Sequence, residues 1–354
     1  MFKLIIPFIF SVTLAFSQPS NVLFIGNSYT HMNDLYKIYE NLSVSKAKPV
    51  KADTLAVSGS TLMQHTQRAN TYKKIKSRNW DYVFIQGFSR ELSYDSIRIE
   101  KETIPYAKQL IDSIKTYNPC ASIYYYMTWG YANGFRDSIQ GDDYFAMQER
   151  IYRGYLQLSR ATGGFPIAPV GLVWQEIRRR YPEVNLYTSD DAHPTPYGSY
   201  VAACTFFTSI YKETPLNGTA PKKIEPIFAL NIQQTAADFV LKNYSHFRLD
   251  TIQKTSSHKP KVDFSIKEEW LSITLENKST PGLLYYWDFG DGKTSTKPNP
   301  KYYYAKDGKY TVTLSVQSGC NWYKTKKDIK VSKNKKDAKS KVVKKAPKKK
   351  KKIK

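Results

Sequence analysis

The sequence predicts an α/β chain: a three-layer α/β/α domain on a parallel sheet, followed by a small β-sandwich. Three observations lead there. Over the first two thirds, short apolar runs alternate with stretches of helical spacing, the pattern of strands joined by helical crossovers. A polar segment, DTIQKTSSHKPK, then interrupts the pattern with no periodicity and a proline, which reads as a linker. Beyond it the strands become short and alternating, with turn residues between them, as in a sandwich.

Taken in order, residues 22–25, 51–57, 82–86, 122–127 and 165–170 are the expected strands. Residues 97–117 carry helical spacing through Ile104, Ala107, Leu110, Ile111 and Ile114, with Pro105 marking a kink or a later start. Residues 144–162, 174–181, 196–211 and 232–242 are further helices. Right-handed β-α crossovers between these strands give one doubly wound sheet. The boundaries expected are an α/β domain over 20–248, a linker over 249–261, a sandwich over 262–332 and a tail over 333–354.

The first seventeen residues have an early lysine, an apolar stretch and the small-residue pattern Ala15-x-Ser17. That is an export signal, so the mature protein is expected to be secreted, periplasmic or at the cell surface. No other stretch of about 20 apolar residues follows. Three cysteines, Cys120, Cys204 and Cys320, are too few for a stapled fold, and Cys204 reads as a small buried side chain. The net charge is +24, but residues 333–354 hold thirteen lysines and one aspartate, so this tail contributes +12. With little to bury, it is expected to stay disordered, and it can bind polyanions through counterion release. A DNA-binding or nuclease role would rest on that tail and leave the chemistry of the earlier domain, described next, unexplained. Neither a metal-ligand cluster nor a phosphate-binding glycine loop is evident, so no metal or cofactor is expected.

The chemistry concentrates in two remote blocks. Gly26-Asn27-Ser28-Tyr29-Thr30 follows the apolar run Val22-Leu23-Phe24-Ile25, and Asp190-Asp191-Ala192-His193-Pro194 lies far downstream. A hydroxyl in the loop after a buried parallel strand sits where open α/β sheets place ligands. Serine there needs a base, and an aspartate three positions before a histidine can orient that base. These blocks resemble the SGNH (GDSL-like) hydrolase family, whose first block is Gly-Asp-Ser and whose last is Asp-x-x-His, over roughly residues 20 to 245.

The resemblance implies Ser28 as nucleophile, His193 as base and Asp190 as orienting acid, with Asp191 a solvated or loop-stabilising neighbour. It also implies oxyanion donors from the backbone N–H of Ser28 and of Gly59, in Val57-Ser58-Gly59-Ser60. The family's third block, Gly-x-Asn-Asp, is altered here. Gly87 aligns, Ser89 stands at the asparagine position, and Gln86 is the preferred amide donor because an amide NH2 is a committed donor. Asn27 replaces the family's aspartate and is expected to keep part of its hydrogen bonding. His31 and His65 lie near these blocks and read as hydrogen-bonded or surface histidines. Tyr124, Tyr125, Tyr126 and Trp129 read as packing, with a sugar-stacking wall as the alternative.

The later segment Trp287-Asp288-Phe289-Gly290-Asp291-Gly292, with Tyr302-Tyr303-Tyr304 and the strand from Gly308, resembles a polycystic-kidney-disease (PKD) repeat, a small immunoglobulin-like sandwich. Trp287 and Phe289 fall on its core face, and Gly290-Asp291-Gly292 forms a turn needing positive φ. Such a module is a spacer or a contact surface; its fold alone does not choose.

The expected function is an exported serine esterase acting on ester bonds, with acyl groups on polysaccharide one substrate class. The alternative is a non-catalytic surface or polysaccharide-binding protein that retains the scaffold.

Overall fold

The computed structural model describes residues 19–136, 139–251, 261–279, 284–318 and 321–333. The expected export signal, most of the linker and nearly all of the lysine tail lie outside these residues. The chain divides into two units, Met1–Gln253 and Lys254–Lys354.

In the first unit the elements run β1 (Ser20–Gly26), α1 (Ser28–His31), α2 (Leu35–Ser45), β2 (Val50–Ala56), α3 (Leu62–Thr66), α4 (Ala69–Lys76), β3 (Tyr82–Ile85), α5 (Ser96–Glu102), α6 (Ile104–Tyr117), β4 (Ser122–Tyr126), α7 (Tyr144–Ala161), β5 (Ile167–Ala168), α8 (Val170–Arg180), α9 (Pro196–Tyr211) and α10 (Pro226–Lys242). All five strands are parallel, in the order β2-β1-β3-β4-β5. That order puts a topological switch point beside β1, and ligands in open α/β sheets bind at the carboxyl ends of strands there. Residues 22–26 of β1 are all buried, as suits a strand covered on both faces.

Phe24, Phe84 and Tyr124 are in register on neighbouring strands, and their rings stack at centroid separations of 5.0 Å. Phe206 of α9 packs over Phe24, Phe84 and Tyr126. Helix α9 is buried on nearly every side, which its apolar sequence requires. Pro196 occupies its first turn, and the Thr195 hydroxyl accepts from Gly198 N–H.

Several boundaries differ from expectation. The expected helix over 97–117 is two helices, because Pro105 has no N–H to carry α5 onward and the chain turns at Thr103. Helix α8 begins at Val170, shortening the fifth strand to two residues. Helix α10 begins at Pro226, six residues early. Packed structure persists to the turn Leu249–Thr251, where Leu249 is buried.

The second unit is an antiparallel sandwich. One sheet has the order β10-β7-β6 and the other β12-β11-β8-β9, formed by β6 (Phe264–Glu269), β7 (Ser272–Asn277), β8 (Leu284–Asp288), β9 (Thr294–Ser295), β10 (Lys301–Tyr303), β11 (Gly308–Ser318) and β12 (Asn321–Val331). Trp287 and Phe289 enter its core with Phe264, Ile273, Leu275, Val312 and Leu314. Gly290 and Gly292 have φ of 83° and 85°. The sequence pattern starts the second sandwich strand at Trp270, but Trp270 occupies the β6–β7 turn with φ of 57° and β7 begins at Ser272.

Candidate active site

Ser28 opens α1 at the carboxyl end of β1. The Asn27 side chain accepts from Tyr29 N–H at 3.0 Å, and its carbonyl accepts from Thr30 and His31 N–H. A neutral side chain therefore caps the short helix where the SGNH pattern has an aspartate.

The tightness of this loop explains Gly26. A Cβ there would collide with Gln86 Oε1 and Thr30 Oγ1. Gln86 is fully buried; its Oε1 accepts from Asn27 N–H (2.9 Å) and Thr30 Oγ1 (2.7 Å), and its Nε2 donates to the Gly87 carbonyl. This corrects the expected oxyanion role of Gln86: its Oε1 is committed to the nucleophile loop and its Nε2 to the Gly87 carbonyl. Gln86→Ala leaves the Asn27 N–H and the Thr30 hydroxyl buried without partners, at about 1–3 kcal/mol each. Urea denaturation is expected to show a loss of about 2–6 kcal/mol.

Across 165 residues of sequence, His193 Nε2 lies 2.8 Å from Ser28 Oγ. His193 Nδ1 lies 2.5 Å from Asp190 Oδ2. The carboxylate accepts from Nδ1–H, which leaves Nε2 as the acceptor for the serine proton. Asp190 Oδ1 meanwhile accepts from Thr188 Oγ1 (2.8 Å), Ala192 N–H (3.0 Å) and His193 N–H (2.9 Å). Desolvation alone would raise the Asp190 pKa, but the hydrogen bonds from His193, Thr188 and Ala192 outweigh it and hold the carboxyl well below its usual range.

The loop carrying this pair is fastened on several sides. Thr188 N–H bonds the His193 carbonyl and Thr195 N–H the Leu186 carbonyl. Asn33, left-handed with φ of 56°, donates from Nδ2 to the Pro194 carbonyl and to Ser199 Oγ, both at 2.9 Å, so the segment after Ser28 is tied to the segment after His193. Asp191 accepts from Asn133 Nδ2 at 2.9 Å.

Beneath the imidazole runs a column of rings. Tyr29 meets His193 edge-on at 5.5 Å, stacks on Trp129 at 4.4 Å, and Trp129 stacks on Trp174 at 3.9 Å, which meets Tyr187 at 5.0 Å. Each such pair contributes about 0.5–1.5 kcal/mol beyond its buried area. Trp129 Nε1–H also bonds the Ala192 carbonyl at 3.0 Å. Tyr124, Tyr125, Tyr126 and Trp129 are all buried, so they are packing and form no exposed wall.

Gly59 lies in the turn after β2 with φ of 70° and open space where a Cβ would stand. His31 Nε2 bonds Ser58 Oγ at 2.8 Å, joining that turn to α1. Ser89 Oγ shares a 3.0 Å hydrogen bond with Tyr131 Oη.

Two supporting contacts were not legible in the sequence, one of them made by His65, which the sequence marks only as hydrogen-bonded or at the surface. His65 is fully buried, and its Nε2 lies 2.8 Å from the Gly26 carbonyl. That oxygen only accepts, so Nε2 carries the proton, and desolvation lowers the ring's pKa. Glu91 is buried, with Oε2 accepting from Phe88 N–H (2.8 Å) and Leu62 N–H (3.4 Å), so one carboxyl joins the segments after β2 and β3.

Desolvation pushes the Glu91 pKa up to about 7; hydrogen bonds from Phe88, Leu62 and Thr103 oppose the shift, and Glu102 adds to it. Between the ordinary value of 4.5 and about 7, the folded protein keeps a proton that the unfolded chain has released. Stability therefore falls as pH rises through that window and levels above it, by about 3 kcal/mol. Glu91→Gln keeps an acceptor for Phe88 N–H without the ionisation. Urea denaturation of the variant from about pH 5 to about pH 8 is expected to show that slope lost.

These findings define a parallel five-stranded SGNH-like domain with a serine-histidine-aspartate constellation, followed by a sandwich. A family model described as "Domain of unknown function (DUF4886)" matches residues 23–240, and the chain belongs to that family. A model described as a PKD domain matches residues 267–332. The crystal structure of a DUF4886 family protein from Bacteroides uniformis is similar in fold, with 20% identity and a TM-score of 0.55, over 63% of this chain and 95% of that one. The acetylxylan esterase Axe2 from Geobacillus stearothermophilus aligns over 54% of this chain and 94% of its own, with 16% identity and a TM-score of 0.41. Pre-pro-metalloprotease PrtV of Vibrio cholerae is 39% identical over 77 residues, 21% of this chain and 8% of the protease. The chain thus spans under a tenth of that curated relative's length.

Proposed function

We propose that the first unit is a serine esterase. The observation that carries this reading is the alignment of Ser28 Oγ, His193 Nε2 and the Asp190 carboxylate through hydrogen bonds of 2.8 and 2.5 Å. His193 takes the Ser28 proton as Oγ attacks an ester carbonyl; the tetrahedral oxyanion is met by the N–H groups of Ser28 and Gly59; His193 then protonates the leaving alcohol. Water, activated by the same imidazole, attacks the acyl-serine and releases the acid. Asp190 holds the ring in the tautomer this requires, while Gln86, His65 and Asn27 hold the loop that presents the serine.

Acyl esters on polysaccharide are the substrate class we assign, in keeping with the export signal read at the amino terminus and the appended PKD domain. The test is covalent. A fluorophosphonate probe incubated with the full chain is expected to modify one serine, and peptide mapping should place the adduct on Ser28. An adduct elsewhere, or none with a competent control hydrolase alongside, rejects the reading.

A further inference from the structure

Arg90 follows Ser89 in the loop after β3. Its guanidinium lies 4.7 Å from the ring centre of Phe135 and 5.4 Å from that of Phe88, so two aromatic faces fix it. Its Nε is buried without a hydrogen-bond partner. No ion pair among the described residues involves it, and its terminal nitrogens reach solvent without partners. The adjacent Glu91 turns inward to Phe88 and Leu62 N–H, Asp142, which accepts from Phe135 N–H, is paired with Arg150, and in the catalytic loop Asp190 holds His193 and Asp191 holds Asn133. By contrast Arg150 is neutralised by Asp142 at 2.7 Å.

The surroundings tie Arg90 to the catalytic loops. Phe135 meets Tyr131 edge-on at 6.3 Å, and Tyr131 bonds Ser89. Within the same segment, Trp129 bonds the Ala192 carbonyl and Ala132 N–H bonds the Asp191 carbonyl at 2.8 Å. Arg68 also has an unpartnered buried Nε, but its Nη2 is taken by Ser60 Oγ at 3.1 Å.

A half-buried cation with no ion-pair partner among the described residues is held at an energetic cost that folding does not need to bear. A planar guanidinium with its terminal nitrogens free is the natural partner of a carboxylate, and low-dielectric aromatic walls strengthen such a pair. We propose that Arg90 is the specificity residue of the site formed by these loops and binds a carboxylate carried by the ester substrate. The proposal rests on the esterase reading and narrows it. The carboxylate belongs either to the alcohol side, as in an acetylated polyuronate, or to the acyl side, as in a half-ester of a dicarboxylic acid.

The experiment compares kcat/KM for acetylated oligogalacturonate and for p-nitrophenyl hemisuccinate, each divided by the value for neutral p-nitrophenyl acetate. In Arg90→Gln one of these ratios is expected to fall about 10- to 100-fold, mainly through KM, as loss of a charge-assisted pair predicts. Whichever ratio falls identifies the side that carries the carboxylate. Arg90→Lys, which keeps charge but not the planar fork, should give an intermediate ratio and tests the point if the glutamine variant folds poorly. Equal losses on all three substrates, or no loss, overturns the proposal.

A binding arm separates this failure from failure of the esterase reading. Calorimetric titration of Ser28→Ala with deacetylated oligogalacturonate and with succinate should show binding of one of them that weakens at least tenfold on adding Arg90→Gln. If that holds while the wild type cleaves no ester, only the esterase reading falls. If the wild type cleaves esters without discrimination and Ser28→Ala binds neither probe, only the role of Arg90 falls.

Discussion

Replacing Ser28 with alanine is expected to lower kcat on p-nitrophenyl acetate by about ten-thousand-fold or more, leaving only what oriented donors and binding provide. In the proposed mechanism Ser28 Oγ is the atom that becomes covalently bonded to the acyl group, and a neighbouring hydroxyl would have to replace it. Thr30 is the next hydroxyl along the loop, but its Oγ1 is turned inward to Gln86. The loop should survive the change, because its supports come from Asn27, Gln86 and His65 and none uses Ser28 Oγ. Stability should therefore stay within about 0.5 kcal/mol of wild type. Turnover that persists in a folded Ser28→Ala protein would remove the nucleophile from the mechanism.

Asp190→Asn should cost about a hundred- to ten-thousand-fold in kcat, by a different route. The amide oxygen can keep the bonds from Thr188 Oγ1, Ala192 N–H and His193 N–H, so the loop stays in place. The amide nitrogen, however, then faces Nδ1 as a donor, forcing the imidazole proton onto Nε2 and turning that atom's hydrogen toward Ser28. A base becomes a donor without moving. Because the hydrogen bonds to Asp190 hold its pKa well below the ordinary range, it should add no titration of its own across an esterase pH–rate profile. A full-activity Asp190→Asn variant would assign the carboxylate a purely structural role.

How much of this was legible in the sequence depends on range. Ser28 after an apolar strand and Asp190-x-x-His193 on one loop are local patterns, and their spacing pointed to a meeting that the structure shows. Gln86 was legible as an amide in the right loop but not as to its direction; only the closeness of Gly26, where a Cβ would strike Gln86, reveals which way it turns. His65 and Glu91 act through backbone groups of distant segments, and no residue spacing encodes such contacts. Arg90 was equally silent, since the absence of a partner appears only when neighbours are known. In the fold, strand interiors were read well and element ends less so. Helix α4 is short and rich in lysine, and the start of α10 follows a basic, proline-bearing segment, so hydrophobic periodicity gave little signal there. Trp270 carries a strong strand propensity, yet the turn geometry overrode it.

The ring column from Tyr29 to Tyr187 has a spectroscopic consequence. Two indoles held parallel at 3.9 Å should couple their electronic transitions and give a circular-dichroism couplet that separated tryptophans lack. Because Tyr29 bridges that pair to His193, the couplet can report the integrity of the imidazole's seat without any turnover assay. Trp270, Trp287 and Trp322 belong to the other unit, so loss of this signal on heating would time the melting of the first unit by itself.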